Sequence, residues 1–288
     1  MPVSAPRRDR ADAERPELLT MTPDNIPDLH LGWRNRCGPE EMHRVLCSYP
    51  GRSVWLPATR EFGLVGPWRH RDEIAAVREL SASRNAAAVV EGLTERARDS
   101  GATVLLTMEI DETRRPAFYE RAGLDLLETV ITYELGTAST PPTKGPPLTF
   151  QRVSTSDKAT VADVVALDHA AFPWLWWNSA LEFQNYLTAP EVELWVGRVD
   201  GVVAAYIGVT IYHHWGHLDR IAVDPARQGN GLGVASLAFA VRLLAQRGAR
   251  RVGLSTQGNN VRSQCLYERF GFQRVASNDY RLYGVWFR

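Results

Sequence analysis

The stretch His217–Ala235, HLDRIAVDPARQGNGLGVA, decides how the chain is read. Leu218–Val223 has strand character and ends at Asp224-Pro225. Glycines follow at 229, 231 and 233, and apolar residues then recur at helical spacing as Leu232, Leu237, Val241 and Leu244. The pattern predicts a strand, a tight turn and an amphipathic helix over Leu232–Gln246. Glycines let a backbone fold tightly and approach a ligand with no Cβ in the way. Amide N–H groups that converge at a helix N-terminus are unpaired there, and the helix dipole adds to their preference for an anion. A pyrophosphate suits such a turn, and Arg227 is placed to add a charge-assisted contact. A nucleotide P-loop would need Lys and then Ser or Thr after the last glycine, but Val234-Ala235 stands there. A dinucleotide fingerprint spaces its glycines as G-x-G-x-x-G, whereas these alternate. On these residues alone a purely structural turn stays open.

Outward from the turn, β-like runs at Leu148–Arg152, Glu193–Val199, Val202–Tyr212, Gly216–Val223 and Arg251–Ser255 predict strands. A helix around Val161–Ala171 and a Trp-rich turn with a second helix over Pro173–Leu187 complete the second half. The segment Gly136–Pro147, GTASTPPTKGPP, lacks apolar periodicity and reads as a linker. The segments on either side of it align without gaps at an offset of 148: Tyr119-Glu120-Arg121 and Gly123 fall on Tyr267-Glu268-Arg269 and Gly271, and Val104–Thr107 falls on Val252–Ser255. Strands at Thr129–Glu134 and Tyr280–Trp286 close the two segments. Two copies of one fold follow, with a disordered leader at 1–16, domains at 17–137 and 148–288, and a linker at 138–147.

The 288 residues suit two domains, and the 44% hydrophobic content suits a soluble core. Lys+Arg and Asp+Glu are both 33, so net charge offers no argument for nucleic acid or an anionic membrane. No run approaches the length of a membrane span. The charged N-terminus lacks a signal peptide's apolar core. Cys37, Cys47 and Cys265 form no C-x-x-C pair, which argues against a disulfide framework or zinc cluster and fits a reducing, cytoplasmic setting. No metal is expected, and His213 and His214 have no ligand partners at metal spacing.

Gln228-x-x-Gly231-x-Gly233 after Val223-x-Pro225 resembles the acyl-CoA-binding motif of the GNAT N-acetyltransferase superfamily. Asn260–Phe272, NVRSQCLYERFGF, resembles that family's second signature, and both stand in the family's order. The resemblance implies an α/β (α+β) fold of two tandem GNAT-like domains, each a mixed, mostly antiparallel β-sheet flanked by helices. It implies acetyl-CoA as co-substrate and transfer of its acetyl group to an amine. Ile221, Ala222 and Val223 would pair with the pantetheine arm. The amides of Gln228, Gly229, Asn230, Gly231, Leu232, Gly233 and Val234 would hold the pyrophosphate, and Asn260 would bond the pantetheine or its neighbouring backbone. Tyr267 would protonate the departing thiolate. Its other reading is a core tyrosine beside Leu266 and Phe270, just as Asn260 also reads as a turn residue.

At the family's usual Glu position stands His217, whose ordinary pKa suits a base near neutral pH. Asp219, two residues on, can orient the imidazole, or pair with Arg220 at the surface; Asp219 and Glu182 are rivals for the base. Phe172–Tyr186 holds three tryptophans, so Trp176 and Trp177 are candidates to line an acceptor pocket, with Glu182 placed for a cationic amine; core packing is the other reading. In the first half the same offset puts Leu80, Ser81, Ser83 and Asn85 at Gln228, Gly229, Gly231 and Gly233, and Glu112 at Asn260. That half therefore reads as a degenerate copy that has lost coenzyme A and either covers the other domain's sheet edge or shapes its acceptor pocket. The layout resembles that of some antibiotic-modifying acetyltransferases. The expected function is acetyl transfer to the primary amine of a small molecule, with no nucleic-acid or membrane partner and a homodimer allowed. The alternatives are a non-catalytic acyl-CoA-sensing module or an enzyme using a larger acyl-CoA.

Overall fold

The computed structural model describes residues 17–33, 35–109, 116–136 and 148–287. The expected leader at 1–16, the linker at 138–147 and Glu112 lie outside the described residues. The first half runs β1 (Leu19–Thr20), α1 (Pro39–Ser48), β2 (Val54–Leu56), β3 (Glu61–Trp68), β4 (Arg71–Ser81), α2 (Ala86–Asp99), β5 (Val104–Met108), α3 (Pro116–Arg121) and β6 (Asp125–Gly136). The second runs β7 (Thr149–Arg152), α4 (Lys158–Ala171), α5 (Ala180–Tyr186), β8 (Val192–Val199), β9 (Val202–Tyr212) and β10 (Trp215–Val223). It continues with α6 (Leu232–Gln246), β11 (Arg251–Gln257), α7 (Val261–Phe270), β12 (Gln273–Arg274) and β13 (Tyr280–Trp286). The architecture is mixed α/β, with a large, mostly antiparallel sheet flanked by helices.

The strands join into one sheet in the order β1-β2-β3-β4-β5-β13-β6-β11-β10-β9-β8-β7, with β12 on β6. Two pairings are parallel, β4 with β5 and β10 with β11. The last strands are exchanged between the halves. β6 pairs with β11 along Val130–Gly136, and β13 pairs with β5 along Leu282–Trp286. β6 and β13 also pair with each other, so each half's sheet is completed by backbone from the other. A buried backbone edge needs a hydrogen-bonding partner, and here the partner crosses the 17–137/148–288 division.

β10 holds β11 only through Trp215–Leu218 against Arg251–Leu254. Beyond that point β10 continues beside β9 alone and β11 beside β6. A bulge on β10 at Asp219, between Leu218 and Arg220, falls where the strands part. The α6 helix buries Leu237, Val241 and Leu244 against the adjacent strands and so carries its N-terminus to the open end of this fork.

The gapless offset of 148 fails at the turn. Val104 and Val252 keep it, but Ile74 pairs with Val104 where Gly216 pairs with Val252. On that register Ala75 matches His217, and Ser81 matches Val223 rather than Gly229. The link from β4 to α2 is residues 82–85, whereas β10 to α6 needs residues 224–231. The first half has not merely substituted the glycines: it has a shorter turn.

The tryptophans find a structural explanation in the junction between the halves. Trp176 is 5% exposed and packs with Leu175 among Ile74, Ala76, Val104, Leu106, Val130 and Leu282, with Trp68 edge-on at 6.1 Å. The tip of the β3–β4 hairpin grips the same segment: the Trp68 indole N–H donates to the Leu175 carbonyl at 2.9 Å, and Arg71 lies over the Trp174 ring at 4.4 Å.

Candidate active site

The fork between β10 and β11 opens into a cleft of about 1140 Å³. It is lined by Ile221, Ala222 and Val223 of β10, by Gln228, Gly229, Gly231, Gly233 and Val234 of the turn, and by Asn260 and Tyr267 of the α7 segment. At its other end it is lined by His217, Asp219, Trp176 and Glu182. Asn230 and Leu232 belong to the same turn without lining the cleft. Gly229 and Gly231 have φ of +87° and +80°, the left-handed region in which side chains are disfavoured. Among the described residues, none of the amides from Gly229 to Val234 donates to another group, so several N–H donors stand free at the start of a fifteen-residue helix. This is the arrangement a pyrophosphate needs.

The side chains around the turn are arranged differently from the expectation. Arg227 is turned to Asp224 at 3.5 Å. The Gln228 amide group donates to the Val223 carbonyl at 3.2 Å and accepts from Arg262. Arg262 lines the cleft with its guanidinium near Gly229; no spacing in the sequence points to it. Asn260 caps α7, its Oδ1 accepting from the Ser263 amide at 3.2 Å. Its side-chain NH₂ bonds no described residue.

His217 and Asp219 meet directly, with Nδ1 2.6 Å from Oδ1. The carboxylate accepts the Nδ1 proton, which leaves Nε2 as the imidazole's basic atom. Asp219 Oδ2 accepts two further hydrogen bonds, from the Tyr186 hydroxyl and from Thr210 Oγ1 at 2.6 Å. Burial, followed by the adjacent Asp219 charge, pushes the Tyr186 phenol far above its usual range, so it stays a donor. Asp219 is thus held by three partners, two of which, Tyr186 and Thr210, sequence reading did not find. Residues on three separate strands and helices have no shared spacing to read.

Tyr267 is 4% exposed, and burial, with a smaller push from Tyr133, raises its phenol to about 12 against the pull of the Ser263 hydroxyl. It packs 6.0 Å from both Tyr133 and Phe272. The core-tyrosine and cleft-lining descriptions therefore both apply to it.

At that end, Trp176 lines the cleft although it is almost wholly buried. Trp177 does not line it: the ring stacks on His169 at 4.5 Å, and its N–H donates to the Phe172 carbonyl at 2.7 Å. Glu182, near the start of α5, lies 3.7 Å from His70 of the first half. The neighbouring Asp168 is fully buried; it accepts from the Tyr206 hydroxyl, pairs with Arg220, and also accepts from the Asn178 amide at 2.8 Å. Arg220 therefore turns inward, and the surface pairing with Asp219 allowed by the sequence is not made. The first half reaches this end of the cleft through Arg69, and the exchanged strands reach it through Val130 and Tyr280.

Residues 161–272 match the family model described as Acetyltransferase (GNAT) family. The chain is 31% identical over 127 residues to a mycothiol acetyltransferase of Amycolatopsis mediterranei, covering 38% of this chain and 42% of that protein. It is 31% identical over 97 residues to a putative [ribosomal protein bS18]-alanine N-acetyltransferase of Bacillus subtilis, covering 34% of this chain and 64% of that protein. In both cases it spans less than two thirds of the relative's length. A tandem GNAT protein from the clavulanic acid biosynthesis pathway superposes with a TM-score of 0.58 at 13% identity, over 94% of this chain and 98% of that one, a likeness of fold. Among the described residues no helix is long and apolar enough to cross a membrane. The motif pair, the forked strands and the family-model match all fall on the same residues, which identifies 161–272 as a GNAT acetyltransferase domain.

Proposed function

We propose that the second half transfers an acetyl group from acetyl-CoA to the primary amine of a small molecule. The observation that carries this reading is the convergence in one cleft of unpaired turn amides, an Asp-oriented histidine and a buried phenol. The amides of Gly229–Val234, with Arg262, hold the pyrophosphate. The backbone of Ile221–Val223, which has a strand partner on one side only, pairs with the pantetheine arm, and Asn260 donates to it. The bound co-substrate supplies an activated acetyl thioester.

His217 takes a proton from the amine at Nε2 as the nitrogen bonds the acetyl carbon, and Asp219 stabilises the resulting imidazolium through Nδ1–H. Tyr267 gives its phenolic proton to the sulfur as the carbon–sulfur bond breaks, and the raised value of about 12 keeps that proton in place until it is needed. The acceptor lies toward Glu182 and Trp176. Both curated relatives are named as acetyltransferases, which supports the reaction class.

The test is release of free thiol from acetyl-CoA in the presence of a panel of small primary amines, with His217→Ala alongside. Amine-dependent release that the variant lacks is the expected result. Coenzyme binding with no release for any amine would leave an acyl-CoA-sensing module, and release with longer acyl-CoAs alone would leave a different acyl donor.

A further inference from the structure

The acceptor end of the cleft holds a guanidinium that the transfer chemistry does not use. Arg69 sits at the tip of the β3–β4 hairpin, where it and His70 adopt φ of +54° and +53°. Trp68 pairs with Arg71, so this is a two-residue hairpin turn that needs φ > 0 at both central positions, and it is uncommon for neither to be glycine. The contacts here come from the other half. Arg69 Nη1 donates to Asn178 Oδ1 at 2.5 Å, and the guanidinium lies 5.3 Å from the Trp68 ring and 5.4 Å from the Trp176 ring. The hairpin is pinned so that Arg69 lines the cleft.

Its charge is not matched. Asp168, the fully buried carboxylate nearby, is bonded to Arg220. Among the described residues no carboxylate lies within ion-pair distance of Arg69. Its Nε is enclosed without a hydrogen-bond partner. Its Nη2 bonds no described residue and is not enclosed, and the residue lines the cleft. Burial, then repulsion from Arg220, lowers Arg69 to about 10, against the pull of Glu182 and Asp168. A guanidinium taken from water without a counter-charge is costly, and an incoming anion removes that cost.

We propose that Arg69, donated by the first half, is a specificity residue that binds a carboxylate carried by the acceptor amine. The inference rests on the acetyl-transfer reading and narrows its substrate class to amines bearing an acidic group. The coenzyme's own phosphates are accounted for elsewhere, because the turn amides and Arg262 share none of Arg69's neighbours Trp68, Trp176 and Asn178. The aromatic wall supplied by Phe172, Trp176 and Phe183 suits an acceptor with an apolar body between its amine and its carboxylate.

Binding can be read apart from turnover. Phenylacetate and its neutral isostere phenylacetamide are titrated calorimetrically into the full chain saturated with coenzyme A. The expected result is ~10-fold or greater preference for phenylacetate in the wild type, lost in Arg69→Gln and partly kept in Arg69→Lys, because a charge-assisted bond discriminates by about that much. Equal affinities in the wild type overturn the proposal whether or not the variants fold. A preference that survives in Arg69→Gln also overturns it. Thiol release with L-phenylalanine against L-phenylalaninamide then separates the two readings. If neither amine releases thiol but the phenylacetate preference stands, the carboxylate site is supported and the transfer reading fails.

Discussion

The two halves solve the same problem at the start of their central helices in different ways. In the second half, the eight-residue turn presents unpaired amides from Gly229 to Val234 to an open cleft. In the first half, the four-residue turn presents amides too, but they are filled from within. Glu61 Oε1 accepts from the amides of Ser83 at 2.6 Å, Arg84 at 3.0 Å and Asn85 at 3.4 Å. Thr59 donates to its other oxygen at 3.0 Å, as does the Asn85 side chain. Counted from each hairpin's bulge, the second-half position matching Glu61 is Ala205, a buried methyl. Free amides at a helix start attract an anion. One copy leaves the place to a ligand, and the other occupies it with its own carboxylate. The first half thereby keeps the electrostatics of the second half's glycine turn as a folding contact.

The exchanged strands repeat the contrast. β6 brings Tyr133 to within 6.0 Å of Tyr267, and β13 stacks Tyr283 on Tyr119 at 4.3 Å. Tyr267 faces a cleft that also holds His217; in the first half the matching strand position is Ala75.

The largest expected effect is on the paired tyrosines. Tyr267→Phe should lower kcat by about 100-fold, the usual scale for losing a positioned acid, while Tyr119→Phe leaves kcat unchanged in the thiol-release assay. A comparable loss in Tyr119→Phe would break the assignment of catalysis to one half.

Next is the turn itself. Gly231→Val places a branched side chain at a φ of +80°, which costs about 1–2 kcal/mol if the turn is kept and scatters its amides if it is not. Coenzyme A should bind ~30-fold more weakly by calorimetry. Ser83→Val in the first half should leave that affinity alone, and a shared loss would mean that the coenzyme engages both turns.

A smaller effect belongs to Glu61. Glu61→Gln should destabilise the protein by about 1 kcal/mol in urea unfolding, since hydrogen bonds to a partly exposed carboxylate are screened. It should not alter coenzyme affinity.

The pH dependence sharpens the same point. Burial would raise the Glu61 carboxyl, yet hydrogen bonds from Ser83, Asn85 and Thr59 outweigh it and hold it at about 2, below the ordinary 4.5. A depressed carboxyl stabilises the fold fully above about 4.5, and that contribution is lost as pH falls toward 2. Wild type and Glu61→Gln should therefore differ at pH 6 and converge by about pH 2. Parallel curves across that range would show that the carboxylate is not what fills the turn.

Much of the second half was legible because its signals are local. The α6 helix spans Leu232–Gln246 as its periodicity indicated, β13 spans Tyr280–Trp286, and the glycine turn and the α7 signature sit in one cleft. The pairing of His217 with Asp219 was anticipated from their two-residue spacing. Tyr186, Arg262 and Arg69, which line the cleft, and Thr210, which bonds Asp219 from the neighbouring strand, were not, since only the folded arrangement brings these elements together. The density of Trp174, Trp176 and Trp177 pointed to a pocket, whereas burial assigns most of it to the junction between the halves. Density alone does not say which neighbour a ring will meet. The gapless offset failed at the glycine turn because a difference in length there leaves both flanking strands and helices intact.

The sequence by itself determined the family's motif pair, the helix-start turn and which titratable side chains stand near it, because glycine conformation, helical period and side-chain chemistry are properties of short segments. Only the tertiary structure decided that the last strands change places, that a carboxylate from β3 fills the first half's turn, and that Arg69 enters the other half's cleft. Those are contacts between segments far apart in the chain, and they are set by which backbone edges and buried charges find partners when the halves pack.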